Sequence, residues 1–326
     1  MNSFDCLNAS VTYILQEQGW KLNGYDIFLT GGGYNIWHQN NILQLYSNSY
    51  SANFTFLADN NVLYKHCFFN EKEISELFLI NIIKDYFVLL KVNTSILKYE
   101  NFYRGIEATE HYILLENIEK DYFNILDIFV PSNNPHLCKG IVKRQKCMES
   151  WRDYQFETIL LKKKIEKQTT IFNPKSEECF YRGCLRYLRN DIDPYIKEKL
   201  DITKKFSFGH NAIIKMIDDY INLVNEKCEC PFTVTKKFVF QIRWGGYLGY
   251  LKYLSSYFRD NHKMGKWADE WIKLIQQWEM HLLLLLRLAM KKEVVKITQL
   301  GQDMKSDIYK ESHILSDILC EGDFIV

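Results

Sequence analysis

A chain of 326 residues with 47% hydrophobic and 25% charged side chains is long enough for two ordinary domains and too apolar to remain disordered. Its 41 basic and 40 acidic residues leave a net charge of +1, so no overall field favours nucleic acid or an anionic membrane surface, and neither is expected as a partner. The nine cysteines are odd in number and scattered, unlike the disulfide framework of a small secreted protein; reduced thiols and a cytoplasmic location are expected. No secretory signal is visible at the start. The most apolar stretch, 280–290, is interrupted by His281 and Arg287. It falls short of the roughly 20 residues a bilayer demands and reads as a buried helix.

Residues 6–18 run without Gly or Pro, with Leu7, Val11, Ile14 and Leu15 at helical spacing, and Gly19 ends the pattern. This predicts an amphipathic helix, capped by Asp5 or Ser3, with Cys6 in its first turn. Gly31-Gly32-Gly33 predicts a tight turn: it lacks both the Gly-Lys-Ser/Thr of a phosphate loop and the dinucleotide spacing. Residues 44–63 alternate weakly and suggest short strands, and 70–86, opening Asn-Glu-Lys-Glu, suggests a helix. Strand runs follow at 86–92, 111–117 and 122–129, the last two joined by the polar turn Ile118-Glu119-Lys120-Asp121. Pro131-Ser132-Asn133-Asn134-Pro135 closes the sheet pattern.

Helical periodicity then dominates. One or two helices are predicted within 141–167, with others at 209–225, 239–260 and 267–292. Trp267, Trp271, Leu274, Ile275 and Trp278 recur in the last at intervals of three and four, which marks the tryptophans as core. The class is therefore α+β, with a catalytic domain over 1–150 and a mostly α-helical domain over 151–326. An aromatic share of 15% fits large packed cores, and the helical half is a candidate homodimer face.

Acyl transfer by a thiol needs a nucleophile, a base that takes and returns a proton, and a polar group that orients the base. A cysteine in the first turn of a helix sits where the positive end of the helix dipole favours thiolate and where free N–H groups can receive an oxyanion. Cys6 is predicted in that position. His111 opens one strand and Asp127 lies in the next, across a short hairpin that brings neighbouring strands within hydrogen-bond reach. Cys6, His111 and Asp127 are the candidate catalytic residues. The bland reading makes Cys6 a small buried side chain and His111 a core histidine.

The segment Asp5-Cys6-Leu7-Asn8-Ala9-Ser10-Val11-Thr12-Tyr13-Ile14-Leu15-Gln16-Glu17-Gln18-Gly19-Trp20, followed by Gly24 and Thr30-Gly31-Gly32-Gly33-Tyr34, resembles the start of the butirosin biosynthesis protein H family. Thr109-Glu110-His111-Tyr112-Ile113-Leu114-Leu115 and Phe123-Asn124-Ile125-Leu126-Asp127-Ile128 resemble that family's His and Asp strands. Phe208-Gly209-His210-Asn211-Ala212-Ile213-Ile214-Lys215-Met216, the 241–246 segment and the Trp-rich helix are similar to the helical domain fused behind it.

The resemblance implies a papain-like cysteine protease fold followed by the helical domain. It also implies movement of an acyl group from a carrier-protein thioester to an amine in specialised-metabolite biosynthesis, as in closthioamide-type amide formation. No bound cofactor or metal is implied; phosphopantetheine would arrive on an acyl or peptidyl carrier protein, and the acceptor would be a small amine. Asn8, Gly32, Gly33 and Tyr34 become candidate substrate-binding residues. Papain-like peptidases place a Gln several residues before the nucleophile as an oxyanion donor. Only five residues precede Cys6 here, so backbone N–H groups or Asn8 are expected in that role. A cysteine hydrolase (peptidase or thioesterase) and a non-catalytic carrier-binding module are the alternatives.

Other features carry less. Cys228-Glu229-Cys230 has no second ligand pair at structural-zinc spacing. His210 reads as a helix-start histidine. Lys162-Lys163-Lys164 reads as a solvated face that could also greet an acidic carrier protein.

Overall fold

The computed structural model describes residues 5–47, 49–97, 99–100, 103, 110–130, 136–163, 176–198, 200–201, 203–226, 229–244, 246–261 and 263–321. The expectations placed on Ser3, Thr109, 131–135, Lys164 and Cys228 fall outside the described residues. The fold is α+β. Its strands are β1 (Ile36–Gln39), β2 (Leu45–Ser47), β3 (Tyr64–Phe68), β4 (Tyr86–Asn93), β5 (Glu110–Glu119), β6 (Tyr122–Val130), β7 (His136–Lys143), β8 (Glu157–Lys162) and β9 (Phe206–Phe208). All strand pairs are antiparallel.

The chain divides into two compact units, Met1–Ile27 with Asn53–Asn173 and Phe28–Ala52 with Pro174–Val326. This corrects the contiguous division at 150/151. β8 pairs with β3 and β4, which keeps Glu157–Lys162 with the first unit. β1 pairs with β9, which carries 28–52 into the second.

The first unit is built on a six-stranded sheet in the order β3-β8-β4-β5-β6-β7. One face packs against the helix Cys6–Glu17. Leu7, Val11, Ile14 and Leu15 of that helix join Leu89, Tyr112, Leu114, Leu126, Ile128, Ile159 and Leu161 in one core. The alternate residues, Val88, Leu90, Val92, Ile113, Leu115, Ile125 and Leu160, form a second core with Leu79, Cys147 and Trp151 on the other face. The period of two along each strand fixes which residues belong to which core. The Cys6 helix starts where predicted because Asp5, in extended conformation, accepts the Asn8 backbone N–H at 2.7 Å.

The second unit contains the small sheet β2-β1-β9 and the helices Ser176–Leu188, Gly209–Glu226, Pro231–Trp244, Tyr247–Asp260, Gly265–Met290 and Val294–Glu321. Residues 28–52 are latched into it by a buried polar cluster. His38 Nε2 meets Asp219 Oδ2 at 2.8 Å, the Asn41 N–H donates to the same oxygen at 2.6 Å, and Lys215 donates to Asp219 Oδ1 at 2.8 Å. Trp271 and Trp278 are fully buried and Trp267 nearly so, as the three- and four-residue spacing requires. Among the described residues no helix is long and apolar enough to cross a membrane.

Three expectations need correction. Residues 49–59 form a helix, Ser49–Asp59, where short strands were expected; weak alternation over so few residues does not fix the period. The 141–167 stretch is helical only over Arg144–Arg152 and then enters β8. Glu157, Thr158, Ile159, Leu160 and Leu161 are all buried, so this interior strand shows an unbroken run in place of alternation. The expected helix over 239–260 is two helices, Pro231–Trp244 and Tyr247–Asp260, divided at Gly246, whose φ is 120° and which L side chains rarely adopt.

The Gly31–Gly33 turn is a helix stop. Gly33 N–H donates to Phe28 O at 2.7 Å and Gly32 N–H to Leu29 O at 3.2 Å, with Gly32 at φ 78°; these are the two bonds of a Schellman cap after the helix Gly24–Thr30. A Cβ on Gly31 would lie 2.0 Å from the Ala52 carbonyl oxygen, an atom of fixed backbone, whereas a Cβ on Gly265 meets nothing within 4 Å. Gly31→Ala is therefore expected to lower the unfolding free energy by about 3 kcal/mol, and Gly265→Ala to change it by less than about 0.5 kcal/mol. Urea denaturation followed by circular dichroism measures both, and equal midpoints would contradict the packing described.

Candidate active site

His111 is the second residue of β5 and Asp127 the sixth of β6. These strands form a hairpin with Leu114 opposite Leu126 and a register shift between Leu115 and Asn117. The start of β5 and the end of β6 lie at the same end of the sheet, and there the two side chains meet. His111 Nε2 lies 2.8 Å from Asp127 Oδ1. Both are buried, His111 at 4% and Asp127 at 0% relative exposure. Cys6, half-buried at the first turn of its helix, lies close enough to interact electrostatically with the same imidazole. Nε2 is taken by Asp127, so Nδ1 is the ring atom left for the thiol. The structure thus brings together all three residues named from the sequence.

The Asp127 carboxylate is filled by donors. Oδ1 accepts from His111 and from the Phe129 N–H at 3.0 Å. Oδ2 accepts the Tyr99 hydroxyl at 2.6 Å and the Tyr103 hydroxyl at 2.7 Å, and Tyr103 Oη is also 3.2 Å from His111 Nε2. The two tyrosines were not found from the sequence. The signal available was Tyr99 and Tyr103 four residues apart, directly upstream of the histidine strand.

Electrostatics follow from this packing. Burial alone would depress the His111 pKa, but the Asp127 carboxylate and the Cys6 sulfur outweigh it and raise it to about 10. Burial would raise Asp127; the facing His111, followed by the two tyrosine hydroxyls, holds it below the ordinary carboxylate range. Tyr99 and Tyr103 are both pushed up, first by burial and then by the neighbouring carboxylate. At neutral pH the site is an imidazolium against a carboxylate, with two neutral phenols beside them.

The substrate-binding candidates divide between the units. Asn8 belongs to the first and is buried at 1% exposure. Its backbone N–H is held by Asp5, and its Nδ2 donates to Gly24 O at 3.1 Å. Gly32, Gly33 and Tyr34 belong to the second unit. There Gly32 and Gly33 form the helix stop, and the Tyr34 ring lies against Gly183, its hydroxyl pushed up to about 12 by burial. Each of these residues has a local structural role. His210 is half-buried, with Nδ1 3.2 Å from Tyr187 O. Among the described residues no group of three or more His, Cys, Asp or Glu could hold a metal ion.

No family model matches the sequence, and no curated protein matches it at a significant level.

The raised His111 pKa means that the folded state binds this proton more tightly than the unfolded chain. Its contribution to stability is full below about 6.5, the ordinary histidine value, and is lost as pH rises toward about 10. The His111 ring resonances are expected to titrate near 10 by NMR, and Asp127→Asn is expected to bring that titration down by more than one unit. A wild-type titration near 6.5 would show that the pair is not charged as described.

Proposed function

We propose that this chain is a cysteine-dependent acyltransferase that forms an amide by moving an acyl group from a carrier-protein thioester to an amine. In this reading the first unit is a papain-like catalytic domain, working in the cytoplasm in specialised-metabolite assembly. The observation that carries the proposal is the 2.8 Å pairing of His111 with Asp127, with Cys6 acting on the same imidazole from the first turn of a helix. The resemblance to the butirosin biosynthesis protein H family supplies the reaction class.

In this reading Cys6 reacts as a thiolate beside the His111 imidazolium, and its sulfur attacks the thioester carbonyl carbon. A new carbon–sulfur bond forms to Cys6, the bond to the phosphopantetheine sulfur breaks, and His111 returns the proton to the departing thiolate. The amine nitrogen then attacks the Cys6 acyl group while His111 takes its proton. A carbon–nitrogen bond forms, the Cys6–carbon bond breaks with its electron pair leaving on the Cys6 sulfur, and the proton stays on His111, which restores the starting pair. Asp127 keeps the imidazole turned and balances its charge throughout. The N–H groups of Cys6 and Leu7, which have no acceptor within their own helix, are placed to receive the oxyanion.

Cys6→Ala should abolish amide formation from an acyl-carrier thioester, with a loss of at least about a thousandfold, and leave the fold intact; His111→Ala should come close to it, and Asp127→Ala should cost less. Intact-protein mass spectrometry should show an acyl adduct on wild-type Cys6, and product analysis should show amide exceeding free acid when amine is present. No adduct on wild type together with an unchanged rate in Cys6→Ala would rule the mechanism out. Free acid outrunning amide at saturating amine would identify a hydrolase.

A further inference from the structure

Asp127 has two carboxylate oxygens and His111 uses only one of them. The other, Oδ2, is held between two phenols, Tyr99 at 2.6 Å and Tyr103 at 2.7 Å. The phenols are themselves packed: their ring centroids are 5.5 Å apart, Tyr103 is 2% exposed, and the Tyr103 ring lies 5.6 Å from the His111 ring. We propose that Tyr99 and Tyr103 are positioning residues of the triad, which occupy Oδ2 so that Oδ1 stays aimed at His111 and the carboxylate stays ionised while protons pass on the other side of the ring. The proposal rests on the triad reading of Cys6, His111 and Asp127.

Three features favour this role over simple core packing. Both hydroxyls end on one oxygen, and a buried core tyrosine needs only one acceptor of any kind. Of the two phenols, Tyr103 touches both members of the dyad, so its hydroxyl fixes the distance between them as well as the carboxylate plane. Donors on Oδ2 also weaken its competition for the imidazole proton. A carboxylate whose oxygens were free to rotate could present either one to His111, and the ring would follow. The tyrosines are distinct from the catalytic residues, since the proposed acyl transfer moves no proton through them.

The test is the pH dependence of Cys6 alkylation by iodoacetamide in the full chain, read by peptide mass spectrometry. It needs neither an acyl donor nor an amine. In wild type, Cys6 should label ahead of the exposed thiols Cys230 and Cys320 at pH 6, where an ordinary thiol is almost entirely protonated. Tyr103→Phe and Tyr99→Phe each keep the ring and remove one donor from Asp127. Each should move the acid limb of the Cys6 profile upward by about one pH unit, because Asp127 then takes up a proton sooner and His111 loses its charged partner. In an Asp127→Asn background the same two substitutions should move the limb no further. A purely structural role would lower labelling at every pH or lower the melting temperature, with the midpoint of the limb unmoved. Coincident limbs in wild type and both phenylalanine variants overturn the positioning role and leave the triad standing. A wild type in which Cys6 labels no faster than Cys230 overturns the triad, and this proposal with it.

Discussion

The His111–Asp127 ion pair keeps its two members charged in a buried site, and a second buried acid shows why. Glu311 in the second unit is, like Asp127, fully buried and bonded to tyrosine hydroxyls, those of Tyr187 and Tyr247. Burial raises its pKa to about 8 despite the opposing bonds from Tyr247, Tyr187 and Tyr250. Asp127 moves the other way, with burial outweighed by His111 before the tyrosines contribute. Phenolic donors alone therefore do not hold a buried carboxylate ionised in this protein; an adjacent cation does. The imidazolium and the carboxylate each depend on the other, and the hydroxyls of Tyr99 and Tyr103 refine a pair that already exists.

The fold delivers this pair by fixing strand register. His111 and Asp127 sit on neighbouring strands whose alternate residues belong to two separate cores, so a slip of one residue would exchange the faces of a whole strand. Leu114 and Leu126 stand opposite each other in the core beneath the Cys6 helix. Irregularities lie to either side of this anchor, between Leu115 and Asn117 in the β5–β6 pairing and between Asp127 and Val130 in the β6–β7 pairing. A bulge re-aims the side chains next to it, and the second one begins at Asp127 itself. Its oxygen Oδ1 takes the Phe129 N–H at 3.0 Å, so the side chain satisfies a backbone donor close to where strand pairing breaks.

Local signals made part of this legible in the sequence. The Cys6 helix, its Asp5 cap, the strands of His111 and Asp127 and the tryptophan-marked helix all follow from periodicity and end chemistry contained in short windows. Information outside such windows was lost. β7 is an edge strand with Leu137 and Ile141 exposed, so it carries no burial alternation. β8 is covered on both sides, so it carries none either. The assignment of 28–52 to the second unit depends on His38 meeting Asp219, 181 positions away, which no local pattern encodes. Tyr99 and Tyr103 were missed for a related reason: a tyrosine is read as core by default, and only the shared oxygen of Asp127 sets these two apart.

The first turn of the Cys6 helix has to combine capping with chemistry, and Asp5 sets how. Its carboxylate takes the N–H of Asn8, the third residue of the helix, and its carbonyl takes the N–H of Ala9 at 3.0 Å. The N–H groups of Cys6 and Leu7 are the two ahead of these, and they lie beside the reacting sulfur. Asn8 is drawn inward, where its Nδ2 donates to Gly24 O at 3.1 Å. What this turn presents beside the Cys6 sulfur is two backbone donors and the positive end of the helix dipole. A thioester carbonyl is less stabilised by resonance than an amide carbonyl and asks less of its oxyanion site. For the proposed acyl transfer, two backbone donors and a helix dipole thus meet the smaller demand of a thioester carbonyl.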